Sequence, residues 1–495
     1  MDKKSQYQLI DQAFLPAKEI EIPELFCGRK EEIVQGLHAL RSQGASVCIY
    51  GKRGVGKSSI AKQLRLVASG YPTLTDMIGH PELFYQDLFC MPSVYFYCDD
   101  TIENANDLFR KLLSDRDSLD GIARYNDGII LRKTKEKKSR TARLTFNLLQ
   151  AAKTDECEIE NIVAELDPVS AFKAVTSEIV DCANSTNIVV VIDEFERVSN
   201  KIGIASILRT CPQVKFILVG VSDDLRSLIA DHESISRQLT EGSIKINPMT
   251  SEMLVEILKR AEALIQGTTF EDDVIVHIVA MSDGYPHWVH LLGKWSCIDA
   301  IERNEKVVGM GNLLRAIERL VKNEPLHEEL YMEVTKGDKT NELMLKILAL
   351  EKLEKINPQE IFEVAKSYRI PYGTWREFIT RLVSDNILNP IENKFTYFKD
   401  MRFKIYSKIR PPLYPENDTN RATSQVEFTN IGYLVRDYML PNNVISYLAD
   451  YETTDFYMKA SQFVNIDNLD YVCVSTDKKP IIYDHKGIPI KFMKK

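Results

Sequence analysis

The residues best suited to chemistry lie in one short stretch, Gly51-Lys52-Arg53-Gly54-Val55-Gly56-Lys57-Ser58, with Ser59 next. It satisfies the spacing G-x-x-x-x-G-K-[ST] without departure. Each position has a mechanical use. The glycines allow a tight loop whose backbone N–H groups face inward at a helix start, where the helix dipole favours an anion. Lys57 can reach the outer phosphates of a nucleotide, and the Ser58 hydroxyl suits Mg²⁺. A second set of residues completes such a site. Asn187-Ile-Val-Val-Val-Ile-Asp193 is an apolar run ending in an acid, and Glu194 follows. Asp193 is placed to hold Mg²⁺ directly or through water. An ionised Glu194 can orient and polarise an attacking water as a general base. The pair therefore predicts hydrolysis as well as binding. The competing reading is an acidic start to a helix beginning in Phe195-Glu196-Arg197-Val198.

The elements that must position these groups are strands. Residues 46–50 lead into the loop, and residues 93–100, 187–194 and 214–221 are further β-branched and aromatic apolar runs. Such runs mark strands buried on both faces of a parallel sheet. The segments between them are long enough for crossover helices. The fold class expected is α/β, a P-loop NTPase sandwich with helices on a parallel sheet. The connection after residue 100 is much longer than one helix requires, so an insertion is expected at about 101–170. Within it, residues 131–143 hold seven basic residues and one acid. That loop is either a solvated surface or a nucleic-acid or partner contact.

Composition sets outer bounds. At 495 residues the chain suggests roughly three domains of about 150 residues each. It is 44% apolar and 27% charged, ordinary for a globular protein. No apolar run approaches the ~18 residues of a membrane span. The polar start lacks a signal-peptide core, so a cytoplasmic location without membrane contact is expected. Nine cysteines occur singly, without metal-ligand spacing, as expected for reduced thiols. A net charge of −8 makes any nucleic-acid surface a local one.

Five regions follow. Residues 1–22 read as a polar arm and residues 23–248 as the nucleotide-binding core. Residues 249–335 turn helical and read as a lid; Leu254, Ile257, Leu258 and Ala261 share one face. Over residues 336–410 the order is three helices and a hairpin turning near Asn393-Lys394, the order a winged helix needs. Residues 411–495 start Pro-rich and end β-rich, with turns at Asp477-Lys478 and His485-Lys486-Gly487.

Together these motifs resemble an AAA+ or STAND-type P-loop ATPase of the origin-recognition and transposition-regulator branch. Gly51 to Ser58 resembles Walker A and Asp193-Glu194 resembles Walker B. Phe26-Cys27-Gly28-Arg29 with Glu32 resembles the family's motif near the adenine. Asp283-Gly284-Tyr285-Pro286 resembles the G-x-P motif of STAND lids, which implies that Pro286 lies near the base. The resemblance implies ATP and Mg²⁺ as ligands. It also implies an arginine finger reaching a neighbouring subunit, for which Arg237 is the candidate and Arg209 and Arg226 are rivals. A γ-phosphate sensor falls to Ser222 rather than Asp223, which would repel phosphate. Initiator-type lids carry an arginine near this proline, whereas this lid has histidines. His287 is a sensor or a packing residue, and the departure favours STAND-like switches.

The function expected is therefore an ATP-hydrolysing, nucleotide-gated assembly switch, a homo-oligomer with a protein partner, acting in defence or signalling. The alternative is a DNA-binding AAA+ ATPase. Residues 372–410 hold eight Lys and Arg against four acids, with Trp375 and Arg376 opening the third helix and Lys394 in the wing. DNA contact by this region and an internal clamp, with Trp375 and Phe378 in a core, are both open.

Overall fold

Four apolar runs, joined by a fifth, form one parallel sheet. In the computed structural model these are β1 (Val47–Gly51), β2 (Ser93–Tyr97), β3 (Ile188–Asp193), β4 (Val214–Val221) and β5 (Gly242–Ile246). Their order is β2-β3-β4-β1-β5, and every pairing is parallel. All six residues of β3 are buried, as expected of a strand covered on both faces. The structure describes residues 3–85, 88–115, 121–125, 167–201, 203–222, 238–351 and 355–410, with the strands Tyr471–Val474, Pro480–Tyr483 and Pro489–Ile490. The basic loop 131–143, Asp223, Arg226, Arg237 and the Pro-rich stretch after Arg410 lie outside them.

The chain divides into two units, residues 18–248 and residues 1–17 with 249–495. In the first, the sheet's core includes Val190, Ile192, Phe216 and Leu218 with Phe109 and Phe172 from the helices Ala105–Ser114 and Pro168–Ala183. Asn104 and Asp167 cap those helices by accepting from their first-turn amides.

The second unit begins with a departure from expectation. The polar arm is a helix, Lys3–Ala13, that buries Ile10 and Ala13 and belongs to the same unit as residues 249–335. Phe14 follows, fully buried, edge-on to Phe270 and His290. Its ring occupies the space left by Gly293, where a Cβ would lie 2.6 Å from Phe14 Cε1. Residues 249–335 contain the helices Ser251–Ile265, Asp272–Met281, Pro286–Glu302, Met310–Lys322 and Pro325–Thr335. Leu254, Ile257, Leu258 and Ala261 are buried together, as their spacing requires.

Residues 339–410 contain the helices Lys339–Ala349, Pro358–Ser367 and Tyr372–Ser384. A hairpin then pairs Leu388 with Phe398 and Glu392 with Phe395, while Ile356 bridges to Thr396. One element was not anticipated: a final helix, Met401–Ile409, nearly all buried. Its apolar and basic residues alternate without a clear helical stripe, because its lysines are buried too. Near the C-terminus, Tyr471–Val474 and Pro489–Ile490 flank Pro480–Tyr483 in an antiparallel sheet. These strands fall on either side of the two expected turns. Among the described residues no helix is long and apolar enough to cross a membrane.

Candidate functional site

The loop after β1 has the shape its glycines allow. Gly54 has φ 83° and Gly56 has φ 94°, both in the left-handed region that side chains rarely adopt. Gly56 ends the loop and Lys57 opens the helix Lys57–Ala68. A Cβ on Gly56 would meet nothing within 4 Å, so the space beside the loop is open at that point. Lys57 is 8% exposed and its ammonium donates to the Lys52 carbonyl within the same loop at 2.8 Å. Desolvation pulls its pKa down to about 8, although Glu196, Asp193 and Glu194 oppose the fall. A buried cation whose charge three acids favour, and which donates to a loop carbonyl, is suited to a phosphate. Ser58 is half-buried in the first helical turn, Arg53 is exposed at the loop tip and Val55 is buried beneath it.

Ser59 has a task not anticipated from sequence. Its hydroxyl accepts the Ile20 N–H at 3.0 Å, and Gln63 donates to the Ile20 carbonyl at 2.8 Å. The P-loop helix thus grips the chain just before residue 23. Arg29 does similar work. Only 4% exposed, it donates to Glu32 at 3.0 Å, to the Val55 carbonyl at 3.1 Å and to the Asn247 carbonyl at 2.7 Å. It thereby joins the segment beginning at Phe26 to the P-loop and to the end of β5.

Asp193 ends β3, one strand removed from β1, and is 3% exposed. Its Oδ1 accepts the Glu194 N–H at 2.8 Å, and its Oδ2 accepts the Tyr95 hydroxyl at 2.5 Å. Burial, reinforced by the Asp193 charge, raises the Tyr95 phenol far above its ordinary value, so it remains a donor. Glu194 turns sharply off the strand with φ 54°. Its carboxylate pairs with Arg197, which also reaches Asp100 at 2.9 Å. The helix considered after this pair is a single 3₁₀ turn, Phe195–Arg197. Glu196 accepts the Val221 N–H at 2.9 Å, and the Ser222 N–H approaches the Gly51 carbonyl at 3.4 Å. Ser222 therefore stands beside the P-loop, whereas Arg209 is exposed near the end of the helix Ile204–Thr210. Tyr95, Arg197 and Glu196 were not found from sequence. No motif marks them, and only strand register and the 3₁₀ turn bring them to the site.

Within the second unit, Pro286 opens the helix Pro286–Glu302 and Asp283 adopts φ 48° in the turn before it. His287 Nδ1 lies 2.7 Å from the Pro16 carbonyl, and His290 Nδ1 accepts from the Leu15 N–H at 3.4 Å. These histidines hold the N-terminal helix, and desolvation lowers the pKa of both. Trp375 is buried and donates to the Pro358 carbonyl at 2.9 Å; Phe378 is buried beside it. Both belong to a core, so Trp375 is not a surface contact.

No family model matches the chain, and no curated protein matches it in sequence. Among solved structures it is similar to the Walker-type ATPase PABY2304 of Pyrococcus abyssi, at 15% identity over 81% of this chain and 99% of that one, TM-score 0.42. It is also similar to the ORC2 protein of Aeropyrum pernix, solved as ADPNP-ADP complexes, at 16% identity over 81% and 97% of the chains, TM-score 0.40. A third is the RuvB Holliday junction branch migration motor of Thermotoga maritima, at 15% identity over 77% and 94%, TM-score 0.34. In this chain a glycine-rich loop leaves one strand of a parallel sheet for a helix, and an acid ends the strand next but one. By that geometry its core has the P-loop NTPase fold.

Proposed function

We propose that the chain binds and hydrolyses ATP with Mg²⁺ and uses nucleotide state as a switch for assembly, as AAA+ and STAND-type ATPases do. The observation that carries this reading is the buried Lys57 ammonium, which donates to its own loop and whose charge Glu196, Asp193 and Glu194 favour. The loop amides, Gly51 to Ser59, cradle the phosphates, and Lys57 exchanges the Lys52 carbonyl for a phosphate oxygen. Ser58 and Asp193 would hold Mg²⁺, which when bound neutralises charge on the phosphate oxygens. Glu194, fixed by Arg197, orients the attacking water and accepts its proton. Pro286 near the base and Arg237 as a finger for a neighbouring copy belong to this proposal through family resemblance.

In the segment Lys339–Arg410 most of the basic residues that a DNA contact would use have partners within the same unit. Of the eight basic residues in 372–410, Lys404 and Lys408 are buried and paired with Asp283. Arg410 pairs with Glu328, Arg402 with Asp400, Arg381 donates to the Val334 carbonyl, and Lys399 donates to Asn386. Arg376, Lys394 and Lys399 stand exposed, and a DNA contact would rest on them and on the loop 131–143.

Sizing the Glu194→Gln protein with ATP, with and without duplex DNA, tests the proposal. An ATP-dependent oligomer indifferent to DNA is expected. A protein that stays monomeric with ATP, with and without DNA, refutes the assembly switch. DNA-stimulated turnover of the wild-type protein, with the salt dependence of DNA binding flattened by Arg376→Ala and Lys394→Ala, moves the function to the DNA-binding alternative.

A further inference from the structure

Tyr95 and Asp193 are diagonal neighbours on adjacent parallel strands. Tyr97 lies opposite Asp193 and Tyr95 opposite Val191, so all four alternate residues share one face of the sheet. Tyr95 is fully buried. Its hydroxyl donates to Asp193 Oδ2 at 2.5 Å, while the Glu194 N–H donates to Oδ1 at 2.8 Å. Each carboxylate oxygen therefore has one donor, and the group cannot rotate without leaving a buried oxygen unpaired. The P-loop helix supplies the other side. The Lys62 ammonium lies 4.0 Å from the centre of the Tyr95 ring and pairs with Glu21 at 3.2 Å. A cation over the ring draws electron density from the phenol and strengthens its O–H as a donor.

We infer that Tyr95 is a positioning residue for the metal step. It fixes the Asp193 carboxylate so that its remaining lone pairs face the metal, and Lys62 reinforces that bond. The inference rests on the reading of Asp193 as the acid that holds Mg²⁺. Partners that orient a metal-holding group in this way usually carry about 10–100-fold in metal affinity. Tyr95 keeps that carboxylate fixed before any metal arrives, which spares the reorientation on binding.

The test uses the full chain and the Tyr95→Phe variant, which keeps the ring and removes one oxygen. Mn²⁺ binding in the presence of ATP is followed by electron paramagnetic resonance, and ATP binding is measured separately in EDTA. The expected result is Mn²⁺ affinity weakened about 10-fold or more, with metal-free ATP affinity unchanged. Turnover should recover at high Mg²⁺, a rise in the metal requirement rather than a loss of kcat. Equal Mn²⁺ affinity in the two proteins overturns the inference. Asp193→Asn separates this from failure of the underlying reading. If Asp193→Asn also leaves Mn²⁺ affinity unchanged, Asp193 is not the metal-holding acid and both readings fall. If only Asp193→Asn weakens it, the role of Tyr95 alone is rejected. Should Tyr95→Phe lose metal-free ATP binding, Lys62→Met gives the second arm. A weakening of Mn²⁺ affinity in the same direction supports the inference, and an unchanged affinity overturns it.

Discussion

Lys408 Nζ lies 2.6 Å from Asp283 Oδ1, with side chains only 3% and 12% exposed. Lys404, 2% exposed, lies 3.4 Å from the other oxygen of the same carboxylate. The final helix Met401–Ile409 thus holds the turn before Pro286 with two buried cations on one buried acid. Lys404 also donates to the Glu351 carbonyl at 2.6 Å, and Lys408 approaches the Ala280 carbonyl at 3.3 Å. Those carbonyls make the second positive charge tolerable. Asp283→Ala leaves both ammonium groups buried without a counter-charge, at a cost of about 3–5 kcal/mol. Denaturant unfolding should show the lid unit melting earlier. Asp283→Asn, which keeps the shape, should lose nearly as much.

Lys57→Ala removes the buried side-chain charge of the P-loop. Its ATP affinity should fall at least about 100-fold, or about 2.7 kcal/mol. Titration calorimetry with ATP reads this directly, and unchanged affinity would reject the nucleotide site.

Glu194→Gln keeps the left-handed turn and the length of the side chain but loses the base. ATP should still bind, while turnover drops about 10²–10⁴-fold. Retained turnover would move the base elsewhere, with Glu196 poorly placed because it already accepts the Val221 N–H.

Acid should loosen the N-terminal helix. Burial pushes His290 down to about 4, with His287 beside it disfavouring the charged form. Its Nδ1 acts as an acceptor for the Leu15 N–H, which requires the neutral ring. In the unfolded chain a histidine takes its proton near pH 6.5. The folded state therefore binds fewer protons between about pH 6.5 and 4. Stability is full above that window and is lost as pH falls through it, by up to about 1.4 kcal/mol per pH unit. Thermal unfolding of wild type against His290→Gln across this range checks the sign. The variant should show the shallower slope.

Gly293→Ala tests the docking of Phe14. The added methyl would lie 2.6 Å from the Phe14 ring, so the ring must move. Overpacking of this kind costs about 1–3 kcal/mol. Limited proteolysis near residue 17 should then be faster, and Phe14→Ala in the same background should relieve the clash while leaving the helix loosely held.

The sequence by itself determined the parts whose physics is local. Gly51 to Ser58 specify a loop shape through allowed backbone angles, and Asp193-Glu194 end an apolar run that could only be a buried strand. The helices of residues 249–335 and the C-terminal strands were legible for the same reason: periodicity and turn chemistry act over a few residues. Tertiary structure decided the rest, because the partners lie far apart in sequence. Tyr95 meets Asp193 only through the register of two parallel strands. Phe14 turns a polar-looking arm into a packed helix because Gly293 leaves room for its ring. Lys404 and Lys408 left both a nucleic-acid surface and an interior role open, since charge in a sequence carries no record of burial. Their common partner, Asp283, shows them to be interior ion pairs, and that pairing is set only when the helix Met401–Ile409 folds against the turn before Pro286.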